Sequence, residues 1–251
     1  MLENTVTENK EIENSYNKAA NSYDKHSISQ RKIADKLFSY LPQTANNVLD
    51  LGCGTGYLSK KISTRYKNIT LVDNSRKMLE QAHEKVPHAK TALLDFNKDE
   101  LLFKDTYDLI LSSSALHWAN DFEATLVKIK KIAQKGLIFS IMLDGTLKEI
   151  REIRKEVAPN KRIKPILHSL NYYLDILKLH GFKIKHSEQM QVVINFKTVD
   201  HSIRHLRKTG VNAGSDKLDK RELFKLMSIY ERRYNNPVPM TFRAGMYVAE
   251  I

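Results

Sequence analysis

The chain has 251 residues, 41% of them hydrophobic and 28% charged, a balance that excludes a disordered polymer and suits one large domain with a substantial core. The lack of any run of about 18 apolar residues excludes a membrane-spanning helix, the polar start offers no secretory signal, and a single cysteine, Cys53, excludes an intramolecular disulfide or a Cys-cluster metal site. We therefore expect a cytoplasmic, metal-free monomer without membrane association, whose formal net charge of +12, from 41 basic and 29 acidic residues, attracts either a polyanion or an acidic protein.

Residues 1–14 read as a flexible polar tail. Residues 15–44 read as a helical lid, in which Tyr16, Ala19, Ala20, Tyr23, Ile28, Ile33, Ala34, Leu37 and Phe38 recur at the spacing of two short helices. The run Asn47-Val48-Leu49-Asp50-Leu51 then enters Gly52-Cys53-Gly54-Thr55-Gly56, and Tyr57 to Thr64 has helical spacing, so this stretch is strand, glycine turn and helix. Ile69 to Val72 ends at Asp73-Asn74-Ser75, before Met78, Leu79 and Ala82 at helical intervals. Thr91 to Leu94 ends at Asp95, Tyr107 to Leu111 ends at Ser112-Ser113-Ser114 ahead of a helix from Phe122 to Ala133, and Leu137 to Met142 gives a fifth strand.

Strands alternating with helices imply right-handed crossovers and an α/β, doubly wound, mostly parallel sheet with helices on both faces. Residues 45–145 form this core. Over residues 146–251, Thr146 to Val157, His168 to His180, 199–208 and 216–234 read as helices, and Phe182 to Gln189, Gln191 to Lys197 and Thr241 to Glu250 as strands. They belong to the same single domain, 15–251, on its substrate side.

In open α/β sheets ligands lie beyond the carboxyl ends of the strands. Glycines at 52, 54 and 56 let the backbone turn and approach a ligand closely, and Asp73, about twenty residues on and at the end of the second strand, can accept hydrogen bonds from ribose hydroxyls. A dinucleotide fingerprint needs G-x-G-x-x-G to admit a pyrophosphate, but here the sixth position is the bulky Tyr57. Asp50 beside the loop is unfavourable for phosphate and favourable for a ligand carrying an ammonium and a sulfonium.

These residues resemble the class I S-adenosylmethionine-dependent methyltransferases, whose leading motif is similar to Val48 through Gly56. The resemblance implies a Rossmann-like sheet of seven strands with a helical lid or insertion, and S-adenosylmethionine as cofactor. It places Asp50, Gly52, Gly54 and Gly56 at the methionine moiety, Asp73 at the ribose, Asp95 and Phe96 at the adenine edge and face, and Ser112 to Ser114 on the methionine side. Tyr23, His26, Gln30 and Asn74 complete the expected cofactor set. Met78 is a further adenine contact, although its spacing equally suits a core-facing residue, and Cys53 reads as a small buried residue rather than a nucleophile.

Flanking segments narrow the match. Tyr16 to Asp24 continuing through His26 and Gln30 to Ala34, Ser114 to Asp121, Asp144 to Ile150, and Arg204 to Asn212 resemble the malonyl-[acyl-carrier protein] O-methyltransferases of biotin synthesis. The family's Pro-Gly-Gly before the fifth strand is replaced by Ala133-Gln134-Lys135-Gly136. The implied reaction puts a methyl group on the free carboxylate of a malonyl-acyl-carrier protein. A carboxylate is already a nucleophile at neutral pH and needs no general base, so the residues required are orienters: Tyr16 and Tyr23 with His26 as a lid, His117 and Trp118 as pocket walls, and Arg204 or Arg207 as a clamp on the carboxylate. Arg204, Arg207 and Lys208 serve equally well as contacts to the acidic carrier, which is the expected docking partner. A small free acid such as an aconitate is the rival substrate. Dispersed basic residues, without a stripe or recognition module, argue against nucleic acid, and the intact acidic and glycine positions argue against a non-catalytic binding module.

Overall fold

The computed structural model describes residues 2–98, 106–211, 213–234 and 236–251, with backbone alone over residues 2–8. Seven strands, β1 (Asn47–Leu51), β2 (Asn68–Asp73), β3 (Lys90–Leu93), β4 (Tyr107–Ser113), β5 (Ala133–Met142), β6 (Lys183–Phe196) and β7 (Val238–Glu250), form one sheet in the order β3-β2-β1-β4-β5-β7-β6. The first five pair in parallel, and β7 runs antiparallel to both β5 and β6. This is the doubly wound, seven-stranded architecture expected from the sequence.

The helices are α1 (Leu2–His26), α2 (Ile28–Phe38), α3 (Tyr57–Ile62), α4 (Arg76–Lys85), α5 (Phe122–Ile132), α6 (Lys148–Val157), α7 (Leu170–Leu179), α8 (Val199–Thr209) and α9 (Lys220–Arg233), with one 3₁₀ turn at Leu116–Trp118. Period-two alternation sends neighbouring strand residues to opposite faces. Val48, Leu71 and Leu109 pack with Ile33 and Leu37 of α2 and Leu58 and Ile62 of α3 on one face, while Leu49, Leu51 and Ile110 pack with α5 and α7 on the other. Both faces being covered, β1 and β4 are nearly continuous apolar runs. No helix among the described residues is long and apolar enough to cross a membrane.

Four expectations change. Helix α1 starts at Leu2, so the residues expected to fray are helical; Ile12 is buried and α1 lies along both α4 and α8, which supply the surface that a lone polar segment lacks. The runs 182–189 and 191–197 are one strand, because Met190 continues the inward alternation of Val192, Ile194 and Phe196 and β7 pairs along the whole length. Strand β5 begins at Ala133, so the Ala133-Gln134-Lys135-Gly136 segment is strand rather than turn, with a register shift against β4 between Tyr107 and Leu109. The last helix starts at Lys220, where Asp219 and Glu222 form a reciprocal capping box. Asn212, the end of the Arg204 to Asn212 segment, lies outside the described residues.

The first turn of α6 is bolted to β7. Glu149, only 3% exposed, accepts hydrogen bonds from the Thr241 amide at 3.1 Å and the Thr241 hydroxyl at 2.5 Å. The Leu147 amide donates to the Thr241 carbonyl at 2.6 Å, and Thr146 Oγ1 both donates to the Arg243 carbonyl and accepts from the Arg243 amide, each at 2.9 Å. Removing one partner leaves buried donors unsatisfied, at about 1–3 kcal/mol. Glu149→Ala is therefore expected to lower the thermal midpoint by roughly 3–10 °C, measured by calorimetry. An unchanged midpoint would show that this tie does not hold α6 in place.

Candidate active site

Strand order reverses between β1 and β4, and the diverging connections open a cleft at their carboxyl ends. The glycine turn after β1 is pinned to β2, with the Gly52 and Cys53 amides donating to the Val72 carbonyl at 2.8 and 2.9 Å. Gly52 has φ +74° and a Cβ there would stand 2.3 Å from Ala115 Cβ; at Gly56, with φ +78°, it would stand 2.7 Å from Ala82 Cα. The first glycine thus admits the segment after β4, and the third lets the turn into α3 press on α4.

The Gly54 amide donates to Asp73 Oδ2 at 2.9 Å and the Ser75 amide to Asp73 Oδ1 at 2.9 Å. Asp50, 1% exposed, accepts from the Ser59 hydroxyl at 2.6 Å. Burial pushes the Asp50 carboxyl up to about 6, against the Ser59 hydrogen bond and with a smaller push from Asp73. Burial likewise raises Asp73 to about 6, against its backbone donors. No lysine or arginine forms an ion pair with either carboxyl among the described residues. The cleft therefore presents two acidic groups that want a cation. Burial also pushes the Cys53 thiol up, so it is no ready nucleophile.

Helix α1 roofs the cleft. Its Asn17 side chain accepts from the Ser75 hydroxyl at 2.8 Å and the Lys77 amide at 3.2 Å, and Asp24 accepts from Thr55 Oγ1 and Lys85 Nζ, both at 2.5 Å. Tyr16 and Tyr23 project from it into the pocket. Trp118 Nε1 donates to the Tyr16 hydroxyl at 2.9 Å, with the two rings edge-on at 6.1 Å. Burial first raises both tyrosine hydroxyls, with Tyr23 and then Asp73 adding to the effect at Tyr16 and Asp73 and Asp24 at Tyr23, so both stay protonated.

Of the residues singled out in the sequence, the structure gathers Tyr16, Tyr23, Gln30, Asp50, Gly52, Gly54, Asp73, Asn74, Met78, Phe96, Ser114 and Trp118 around one pocket. Others stand elsewhere. Gly56 supports the loop from behind. Ser112 is fully buried and donates to the Leu51 carbonyl, so Ser113 and Ser114 face the pocket in its place. Asp95 accepts from the Asn97 amide and pairs with Lys98, leaving Phe96 and Asn97 in the wall. His26 turns toward His205 of α8, ring centroids 6.0 Å apart. Arg204 is exposed and pairs with Asp200 one turn earlier, which removes it as a clamp. Two arginines absent from the sequence-based set take wall positions instead: Arg31 in the pocket and Arg151 beyond it.

Two further spaces adjoin the pocket in sequence. An inner chamber shares Tyr16, Tyr23, Gln30 and Ser114 with it and adds His117 and Arg151. An outer basin of about 610 Å³ shares Leu147, Arg151 and Val211 with the chamber and opens between α6, α8 and α9. His117 is held well below its ordinary value, at about 3, by burial first and Arg151 second, and is neutral.

The fold and the acidic, glycine-lined cleft define an S-adenosylmethionine-dependent methyltransferase. Residues 49–141 match the family described as "Methyltransferase domain". A malonyl-[acyl-carrier protein] O-methyltransferase of Haemophilus influenzae is 30% identical, over 85% of this chain and 82% of its own. Another, of Priestia megaterium, is 27% identical over 92% of this chain and 94% of its own. The crystal structure of magnesium protoporphyrin IX methyltransferase from Synechocystis PCC 6803, with S-adenosylhomocysteine bound, has the same fold, with a TM-score of 0.53 at 14% identity over 88% of this chain and 82% of that one. The chain belongs to the malonyl-[acyl-carrier protein] O-methyltransferase family.

Raised carboxyl groups lead to an expected pH dependence of cofactor binding. With Asp50 and Asp73 at about 6, above the ordinary aspartate value of about 3.9, the free protein holds protons that an unfolded chain releases. Their contribution to stability falls as pH rises from about 4 to about 6. A cationic ligand selects the ionised form, so S-adenosylmethionine is expected to bind with proton release and roughly tenfold more weakly at pH 5 than at pH 7. Calorimetry in buffers of differing ionisation enthalpy checks this; pH-independent affinity would show that neither carboxyl faces the positive charge.

Proposed function

We propose that the protein transfers a methyl group from S-adenosylmethionine to the free carboxylate of a malonyl-acyl-carrier protein, in the cytoplasm, giving the methyl ester that enters biotin synthesis. The observation that carries this reading is the adjacency of three spaces that share walls: an acidic cofactor pocket, an inner chamber bearing an arginine, and a basic outer basin. Bound S-adenosylmethionine supplies a methyl group on a sulfonium, which a carboxylate oxygen takes while the C–S bonding pair stays on sulfur, so that opposite charges cancel and no proton moves.

Each part of the chain then has a task. Asp50 and Asp73 ionise to hold the positive end and the ribose, with Asn74 beside them. Arg31, whose buried Nε has no hydrogen-bond partner, suits the cofactor's carboxylate. Phe96 and Met78 suit the adenine. Tyr16, Tyr23 and Trp118 close the reaction space and exclude water, which strengthens charge interactions inside. Neutral His117 and the protonated tyrosines fit a reaction that calls for no base, only alignment of oxygen, carbon and sulfur.

In the outer basin Lys18, Arg154, Lys164, Arg207 and Lys217 face an apolar floor that includes Ile203, Leu206 and Leu226, against Glu11 and Asp216 on the acidic side. An apolar floor under a basic rim suits a long acyl-bearing arm ending in a phosphate on an acidic carrier. Complementary charge of this kind acts mainly on encounter rate.

The test is methyl transfer from labelled S-adenosylmethionine to malonyl-acyl-carrier protein beside free malonate, trans-aconitate and bulk RNA. Labelling of the carrier alone is expected, with kcat/KM falling several-fold or more between about 50 and 300 mM salt as the basic rim is screened. Labelling of a free acid instead would overturn the carrier reading, and salt-independent labelling would remove the basin from docking.

A further inference from the structure

Eight buried side-chain polar atoms among the described residues lack a hydrogen-bond partner, and three of them, Ser114 Oγ, His117 Nδ1 and Arg151 Nε, line the same inner chamber. Native interiors leave few such groups unsatisfied, so a cluster of three marks a place where a ligand supplies what the protein does not. The chamber also gathers backbone strain. Ser114 with φ 55° and Leu147 with φ 56° are the only non-glycine residues of positive φ among the described ones, and both stand in its wall. Strain of this sort persists where the surroundings over-determine it and concentrates at ligand sites.

Arg151 enters the chamber from α6, the helix fixed to β7 through Glu149 and Thr241. One terminal nitrogen donates to the Pro165 carbonyl at 2.9 Å. No carboxylate forms an ion pair with it among the described residues, and its charged neighbour is Arg154. Burial and that second cation pull the guanidinium down to about 10. A half-buried cation with no carboxylate partner among the described residues, in the wall shared by inner chamber and outer basin, is complementary to an anion that arrives with the substrate.

We propose that Arg151 is the anchor for the substrate's free carboxylate, with His117 and the Ser114 hydroxyl supporting it, an assignment that rests on the carboxyl-methylation reading above. The planar guanidinium matches a carboxylate with two parallel donors, a geometry that an ammonium cannot reproduce. Each carboxylate oxygen held in this way keeps a second lone pair, and the oxygen nearer the shared wall of Tyr16, Tyr23 and Ser114 turns its free lone pair toward the cofactor pocket. The methyl ester that results has no charge, so it loses this anchor and leaves.

The experiment compares wild type, Arg151→Met and Arg151→Lys, all as full chains. Trp118 is the chain's one tryptophan and lies against His117, ring centroids 5.3 Å apart, so its fluorescence reports malonate dianion added to the protein loaded with S-adenosylhomocysteine. Arg151→Met is expected to weaken malonate binding and raise KM for malonyl-acyl-carrier protein by roughly 30-fold or more. Arg151→Lys should recover part of both, and calorimetric affinity for S-adenosylmethionine should stay within about threefold. Malonate affinity and KM equal to wild type in the variants would overturn the anchor; should Arg151→Met fail to fold, the lysine variant decides, because an unchanged KM there overturns it equally. The two readings fail separately. Wild type that binds malonate through Arg151 but labels no carrier substrate refutes the carrier reaction, whereas normal carrier turnover with Arg151 replaced refutes the anchor.

Discussion

Two carboxyl groups held at the ends of adjacent parallel strands without a basic partner set the terms for the structure around them. Asp50 leaves β1 and Asp73 ends β2, and each is lifted to about 6 by burial. At neutral pH such a pair costs on the order of a few kcal/mol relative to the unfolded chain, a penalty that a bound cation offsets. The loop between them is built to keep them there. Gly54 donates to Asp73, the Gly52 and Cys53 amides hold Val72, and Gly52 leaves no room for a side chain against Ala115.

Around this centre the sheet divides its labour. The parallel half, β3 to β5, carries the acidic cleft at its switch point. The extension through β7 and β6 carries α6, α8 and α9, and with them the outer basin. The residues between the two halves, Ser114 and Leu147, occupy left-handed backbone conformations that no other non-glycine residue adopts among the described ones. One chain thus builds an acidic site for a cation and a basic site for an anion, and keeps the two apart by little more than a shared wall of aromatic and hydroxyl groups.

Much of this was legible in the sequence, for definite reasons. Runs such as Val48 to Leu51 and Tyr107 to Leu111 can be apolar throughout only if both faces of a sheet are covered, and a glycine turn followed by Asp73 at the next strand end places a cleft. The sequence reading split β6 in two at Met190, although that residue keeps the alternation that joins the halves, because the pairing with β7 that makes them one strand is not local. Arg204 carried its own warning: Asp200 stands four residues earlier on the same helix, the spacing of an exposed ion pair. Arg151 was not legible. It is one of 41 basic residues, and what distinguishes it is its place in the wall of the inner chamber with His117, a fact that no local spacing records. The same holds for Ser112 and Ser114, two residues apart, of which one is locked in the core by the Leu51 carbonyl and the other faces the cavity.

Helix α1 touches α4 on one side and α8 on the other, and its Tyr16 and Tyr23 stand in the walls of both the cofactor pocket and the inner chamber. One position of each ring bounds both cavities, so any shift of α1 along α4 and α8 reshapes the two spaces together.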